Sequence, residues 1–303
     1  MPLAGVLRAT VGVVLFGVVV AAVAASWADV RPTLGELSPG ALALAEILVL
    51  CGLAASTLTW RVSLSEFGST VGVRSASRIY IIGQLGKYLP GSVWALAAQM
   101  ELASRAGAPR PRALAASAVA IAVNVVTGLA VGLAVVPSVV EGGVLRIATI
   151  GLVLLACVVG VSPAVLTRLV SLGLRALRQP PLERRVSWRG ILTAGGWSLA
   201  SWAAYGVAIW VLAVAVGAPA AAALPVSLAA IGLAMTVGFL VVVAPSGIGV
   251  REAVIVAALA PVLEAPAALA VALIARLVFT AADLLAAVLV LALPPPRVAS
   301  SLR

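Results

Sequence analysis

A few charged residues lie within or beside long apolar runs of this 303-residue sequence, where a charge is costly. Arg276 and Asp283 fall inside the last apolar run, Arg251 and Glu252 stand side by side shortly before it, and Lys87 lies far upstream. An ionisable group at membrane depth should face the interior of a helix bundle. Three cations against two acids leave a net positive charge, which suits an anionic group such as a phosphate.

Polar neighbours extend this candidate site. Arg276, Thr280 and Asp283 are spaced four and three residues apart, so on a helix they share one face. We expect the anionic group to be bound by Lys87, Tyr88, Arg251 and Arg276, with support from Gln84, Asn124, Glu252, Thr280 and Asp283. A structural alternative stays open, in which Arg251 pairs with Glu252, Arg276 pairs with Asp283, and Lys87 extends to the lipid headgroups.

Several kinds of chemistry are excluded by what the sequence lacks. It contains no histidine, which removes His-based acid-base catalysis and the usual Ser-His and Cys-His arrangements. Cys51 and Cys157 lie in apolar runs without the spacing of metal ligands. We therefore expect no catalytic residue, no metal and no cofactor. The net charge of +10 indicates contact with an anionic lipid surface rather than with nucleic acid.

The composition predicts a membrane protein. Hydrophobic residues make up 63% of the sequence and charged residues 10%, whereas a soluble domain has about a quarter charged residues. A spanning helix needs about 20 apolar residues. We predict an all-α integral membrane protein with a single transmembrane domain over 1–303, a polytopic helical bundle of about six spanning helices plus two re-entrant broken-helix elements. The predicted spans are 10–27, 41–59, 113–136, 147–166, 191–216 and 267–293.

The distribution of arginines predicts the orientation, because Lys and Arg are enriched in cytoplasmic loops. Segment 168–189 holds six arginines against one acid, so we predict that it is a cytoplasmic loop. Segment 217–224 should be external, and both termini should be cytoplasmic in a multi-pass protein of the plasma membrane. Whether residues 1–28 are a cleaved signal peptide stays open, since small residues follow the first apolar run.

Two breaks occupy corresponding positions in the two halves of the chain. The first contains Pro90 and Gly91, and the second contains Pro245, Gly247 and Gly249. Such residues interrupt a helix, and within a bilayer a break is tolerated only where protein or a water-filled cavity satisfies the freed backbone groups. The two prolines are 155 positions apart. We therefore predict an inverted repeat with halves 1–140 and 141–303, whose breaks meet at a shared polar cavity.

The segments around these breaks resemble a known family, the flippase-like transmembrane domain of lysylphosphatidylglycerol synthases and its stand-alone relatives. Segment 83–94, GQLGKYLPGSVW, is similar to the family's Q…KYLPG…W motif, and 245–253, PSGIGVREA, is similar to its P-G-G-x-R-E-A motif. Two features depart from the family pattern. Val123 and Asn124 stand where the family often has Glu-Arg, and the sequence ends at Arg303 without the aminoacyl-transfer domain of bifunctional members. We therefore expect no lysylphosphatidylglycerol synthesis.

The resemblance implies binding of a lipid and its movement between leaflets, sometimes beside a separate lipid-modifying enzyme. Together with the cationic residues, it favours an anionic phospholipid or a polyprenyl-phosphate-linked head group. An alternative is a membrane-embedded transferase or an accessory subunit in the synthesis of lipid-linked glycans or aminoacyl lipids. A non-transporting scaffold is a third alternative, and assembly into a homo-oligomer stays open.

Overall fold

The computed structural model describes residues 35, 37–88, 94–133, 142–176, 178–180, 184–240 and 249–293. Ten helices account for most of these residues. They are α1 (Pro39–Glu66), α2 (Val73–Gln84), α3 (Trp94–Arg105), α4 (Arg110–Gly132), α5 (Gly143–Gly160), α6 (Pro163–Ala176), α7 (Trp188–Ala215), α8 (Ala220–Leu240), α9 (Val250–Leu259) and α10 (Ala265–Ala292), with a short 3-10 turn at Leu85–Tyr88 after α2.

Six of these helices are long and apolar enough to cross a membrane, namely α1, α4, α5, α7, α10 and the segment Ala220–Phe239 of α8. This confirms a polytopic helical membrane protein. Five of the six coincide with predicted spans, and the predicted span 10–27 lies outside the described residues. The sixth, α8, differs from our expectation, since we had assigned its residues to an interrupted element. Its helix continues past Pro225, which lies near its N-terminal end.

We had predicted that the arginine-rich segment 168–189 is a loop, but the structure shows that part of it is helical. Its first part belongs to α6, an amphipathic helix with Leu166, Val170 and Leu174 buried at four-residue spacing. Arg168 and Arg175 are exposed on the same helix. Basic residues beside one apolar face are typical of a helix that lies at a membrane surface. The cytoplasmic placement of this segment and of the termini, and the external placement of 217–224, remain predictions.

Polar caps fix the starts of two of the 28-residue helices, α1 and α7. Ser38 accepts a hydrogen bond from the Ala41 N–H at the start of α1 (3.1 Å), and Ser187 accepts one from the Gly190 N–H at the start of α7 (3.0 Å). Each cap satisfies one backbone donor that the first turn leaves without a partner. The carboxylate of Glu66 at the end of α1 accepts a hydrogen bond from the Ser187 N–H (2.8 Å), so the end of α1 is tied to the start of α7.

The helix contacts repeat under exchange of the two halves. Helices α1 and α7 pack against each other along much of their length, and each also packs against both α4 and α10. Helix α4 contacts α3 and α8, while α10 contacts the counterparts α9 and α2. Helices α2 and α3 form one packed pair, and α8 and α9 form the other. Each of these packed helix pairs therefore has a counterpart when α1 to α4 are exchanged with α7 to α10.

A close approach between α4 and α8 depends on glycine. A Cβ placed on Gly232 would lie 2.7 Å from the carbonyl oxygen of Gly128, and a Cβ on Gly128 would lie 2.6 Å from Oγ1 of Thr236. Small residues at a helix crossing let the backbones approach and increase van der Waals contact, which is a main source of helix association in lipid. Helix α4 is thereby held on α8, the wall of the site described next.

Candidate functional site

A small cavity lies between α8, α9, α10 and the 3-10 turn after α2. Its volume is about 50 Å³, which is room for a few water molecules when about 10–15 Å³ serves for one. Charged and hydroxyl-bearing side chains share its wall with apolar ones. The lining residues are Lys87, Tyr88, Ile231, Ala234, Met235, Arg251, Glu252, Ile255, Ala272, Ala275, Arg276, Phe279, Thr280 and Asp283.

Glu252 links the start of α9 to the last helix. One oxygen of its carboxylate accepts a hydrogen bond from the Gly249 N–H (2.7 Å), and the other forms an ion pair with Arg276 of α10. Gly249 precedes the helix with φ of 84°, a left-handed conformation that favours glycine. The Glu252 side chain is 7% exposed and Arg276 28% exposed, so this pair is largely shielded from the surroundings.

Asp283 links the last helix to the first half of the chain. Its Oδ2 atom lies 2.5 Å from Nζ of Lys87 and accepts a hydrogen bond from the hydroxyl of Tyr88 (2.6 Å). Thr280, one turn before Asp283, donates its hydroxyl proton to the Arg276 carbonyl (2.8 Å). The residues that flank the first break therefore contact the helix that carries Arg276.

Arg251 has a different environment from the other two cations. Its Nε is buried and has no hydrogen-bond partner in the described part of the chain. The ion pairs found there assign Glu252 to Arg276 and Asp283 to Lys87. Among the charged residues that line the cavity, three cations thus face two carboxylates, and the additional positive charge falls on Arg251.

The observed pairing differs from the structural alternative considered from the sequence. Arg251 and Glu252 are adjacent on α9, and adjacent residues of a helix do not face each other. Arg276 and Asp283 share a face of α10 but stand two turns apart. Both acids therefore pair with cations from other elements, and the two ion pairs join the 3-10 turn, α9 and α10.

Seven of the nine residues proposed to bind or support an anionic group line the cavity, and two do not. The exceptions are Gln84, whose Nε2 donates to the hydroxyl of Tyr80 (2.8 Å), and Asn124, which lies in a separate cluster on α4. Of the proposed helix breaks only Gly249 is described, because Pro90, Gly91, Pro245 and Gly247 lie outside the described residues. The predicted meeting of the break tips therefore stays a prediction, while Lys87 and Tyr88 before the first break and Arg251 and Glu252 after the second line one cavity.

The separate cluster on α4 and α7 is neutral. Ser198 donates to Oδ1 of Asn124 (2.9 Å) and lies 2.6 Å from Oγ1 of Thr127. The Nε1 of Trp202 donates to the same Thr127 hydroxyl (3.0 Å), and Nδ2 of Asn124 donates to the Ala120 carbonyl (2.8 Å). We refer to Asn124, Thr127, Ser198 and Trp202 as the neutral cluster.

Sequence reasoning missed the wall formed by α8 and one further acid. Ile231, Ala234 and Met235 line the cavity at spacings of three and four residues, a helical pattern that was hidden in a uniformly apolar run. Glu46 on α1 lies within electrostatic range of Asp283, although it is not a lining residue. The signal for Glu46 was available, because an acid inside a predicted span marks a candidate functional residue.

The fold and the cavity define the class of this protein, a polytopic helical membrane protein with a charged cavity between its helices. The sequence matches the family model described as the lysylphosphatidylglycerol synthase TM region over residues 7–287, and the chain belongs to that family. This confirms the resemblance found in the two break segments and associates the protein with a lipid-related function in the membrane. A comparison with curated proteins found no match.

Proposed function

We propose that the protein is a flippase-like lipid transporter that binds an anionic head group, of a phospholipid or a polyprenyl-phosphate-linked lipid, in the charged cavity. The observation that carries this proposal is Arg251, whose charge exceeds those balanced by the cavity's two carboxylates and whose Nε has no hydrogen-bond partner in the described residues. A phosphate would supply both the missing negative charge and the missing acceptor.

The cost of placing arginine in a membrane supports a ligand at this position. An arginine at the bilayer centre costs about 2.5–3.5 kcal/mol on insertion scales, and a buried cation without a partner adds to that cost. Glu252 offsets the cost for Arg276. Arg251 would gain a charge-assisted hydrogen bond from a phosphate oxygen, while the acyl or prenyl chains of the same lipid stay in the hydrocarbon.

The size of the cavity and the helix arrangement suggest how transport would proceed. A volume of about 50 Å³ admits a few waters but not a lipid head group, so the lining must separate for the substrate to enter. The pairs Lys87–Asp283 and Glu252–Arg276 both cross between elements, and their separation would open the site. The exchange-symmetric contacts of α1 to α4 and α7 to α10 suit a repeat whose halves move against each other around a fixed site.

The transferase alternative would use a carboxylate as a base or as a metal ligand. In this structure the carboxylates of Glu252 and Asp283 each accept from a cation and from a second donor. Deprotonating a substrate or binding a metal would require one of these carboxylates to leave its partners. The observed pairing therefore favours a binding role over a catalytic one.

A leaflet-exchange assay tests the proposal. The purified protein is reconstituted into vesicles with fluorescent phosphatidylglycerol, a fluorescent polyprenyl phosphate or, as the neutral control, fluorescent diacylglycerol. Diacylglycerol crosses bilayers without a protein, so its own exchange is not informative. It is used instead as a competitor, and the measurement is whether it slows the exchange of the anionic probes. Protein-dependent exchange of at least one phosphate-bearing lipid is expected, and exchange no faster than in protein-free vesicles for both anionic probes would contradict the proposal.

Three arginine variants test whether lipid exchange depends on the cavity. Arg251→Ala and Arg276→Ala should each slow exchange about tenfold or more, as expected for the loss of a hydrogen bond to a charged group. Arg178→Ala, in the segment that follows α6, should exchange like the wild type. Melting temperatures report folding separately. Full exchange in folded Arg251→Ala and Arg276→Ala proteins would contradict a role for the cavity, even if the wild type moves lipid.

A further inference from the structure

The side chain of Arg251 lies against a glycine of the neighbouring helix. Gly238 of α8 is buried, and a Cβ placed on it would lie 2.7 Å from Cγ and 2.7 Å from Nε of Arg251, with Cδ at 3.2 Å. Distances below 3.0 Å are not tolerated, so one of the two groups would have to move. The absent side chain at position 238 is therefore what allows the stem of Arg251 to lie on the backbone of α8.

Gly238 continues the helical face that forms the cavity wall. Ile231, Ala234 and Met235 line the cavity, and position 238 follows them by seven, four and three residues. These spacings place all four positions on one side of α8. The side chain of Arg251 thus packs on the face of α8 that carries the apolar lining residues. The direction in which it reaches the cavity depends on the size of the residues on that face.

We propose that Gly238 is a positioning residue, which directs the guanidinium of Arg251 toward the phosphate of the lipid substrate. This inference rests on the proposed lipid-binding function and adds a determinant on α8, a helix that carries none of the charged residues of the site. The atoms that a new Cβ would meet belong to a side chain rather than to the backbone. Gly238→Ala should therefore displace Arg251 and leave the helix packing in place, and alanine is also the better helix former.

A double-mutant cycle on lipid binding separates positioning from a general effect on the fold. The probe is a short-chain fluorescent phosphatidylglycerol, with fluorescent polyprenyl phosphate as the second probe, bound to the full-length protein in detergent. Arg251→Ala and Gly238→Ala should each weaken binding about tenfold or more. The double variant should bind no more weakly than Arg251→Ala alone, because Gly238 acts only through the arginine. The control is Gly196→Ala on α7, where an added Cβ would lie in open space, and this variant should bind like the wild type.

Each outcome of this cycle has a defined meaning. Wild-type affinity in Gly238→Ala, or additive losses in the double variant, would overturn the positioning role while leaving the proposed function intact. If the wild type binds neither probe, the proposed function fails and the inference that rests on it fails too. If Gly238→Ala alone does not fold, recovery of a folded protein in the Gly238→Ala/Arg251→Ala double variant supports the contact, and failure to recover it overturns the inference.

Discussion

The charged cavity and the neutral cluster are two polar regions built in part on counterpart helices of the two halves. The cavity uses α10, and the neutral cluster uses its counterpart α4. In the neutral cluster the amide of Asn124 and the indole N–H of Trp202 both have partners, whereas in the cavity Nε of Arg251 has none in the described residues. A satisfied neutral network stabilises packing, and an unsatisfied charged one is suited to a ligand. We infer that the two regions have different roles, although each includes one of the two counterpart helices α10 and α4.

The largest effect is expected where an ion pair of the cavity is broken at its most buried member. Glu252→Ala would remove the partner of Arg276 and the acceptor of the Gly249 N–H. Breaking a buried pair typically costs about 3–5 kcal/mol, since the remaining cation is left uncompensated. The free energy of unfolding in detergent should fall by about that amount.

Glu101→Ala is the matched control for this prediction. Glu101 on α3 pairs with Arg105 and Arg110 at the protein surface, and the hydrogen bond from Arg110 lowers the pKa of its carboxyl. Exposed pairs contribute little because water and salt screen them. Equal losses of stability in Glu252→Ala and Glu101→Ala would show that the Glu252–Arg276 pair is not held in a shielded site.

A smaller effect is expected at Asp283. The cations left behind are about equally exposed, Lys87 at 30% and Arg276 at 28%, so the difference comes from the second donor. Asp283→Ala releases the hydroxyl of the exposed residue Tyr88, whereas Glu252→Ala releases a backbone N–H, and we therefore expect a loss of roughly 2–3 kcal/mol in the free energy of unfolding. Removing the cation as well, in Asp283→Ala/Lys87→Met, should recover part of that loss. Strictly additive losses in the double variant would contradict the pairing of these two residues.

The smallest loss is expected in the neutral cluster. Ser198→Ala removes a hydrogen bond to Asn124 and the contact with Thr127, which should cost about 1–2 kcal/mol of stability for neutral partners. Lipid exchange by the folded variant should equal that of the wild type. A Ser198→Ala protein that is stable but slow in exchange would show that the neutral cluster also takes part in lipid movement, and would contradict the different roles of the two regions.

The sequence was sufficient for the class of fold and for most of the charged cavity, for physical reasons that particular residues illustrate. A charge in an apolar run is conspicuous, so Lys87, Arg251, Glu252, Arg276 and Asp283 could be found without coordinates. The partner of each charge could not be found, because pairing depends on how α9, α10 and the 3-10 turn meet. Helix α8 was not predicted as a helix long enough to span for a related reason, since a uniformly apolar run shows neither which face lines a cavity nor where a helix ends.

Asn124 shows the same limit of sequence reasoning for a residue that was predicted to belong to the site and does not line the cavity. Its position in a predicted span marked it as a polar residue at membrane depth, and we had assigned it a supporting role at the site. The structure places it with Ser198 on α7, because α4 turns that face toward α7. Residue type alone therefore identified polar positions, while the assignment of each to the cavity or to the neutral cluster required the packing of the helices.

The most direct test of the account is the selectivity for a phosphate-bearing lipid at Arg251. The ratio of the affinities for phosphatidylglycerol and diacylglycerol is measured for the wild type, Arg251→Ala and Asn124→Ala, all at the same detergent and salt concentration. We expect Arg251→Ala to lower this ratio about tenfold or more, with a melting temperature no lower than that of the wild type, while Asn124→Ala leaves the ratio as it is. A ratio that is unchanged in folded Arg251→Ala, or that falls equally in Asn124→Ala, would contradict the central claim that the cavity binds the phosphate.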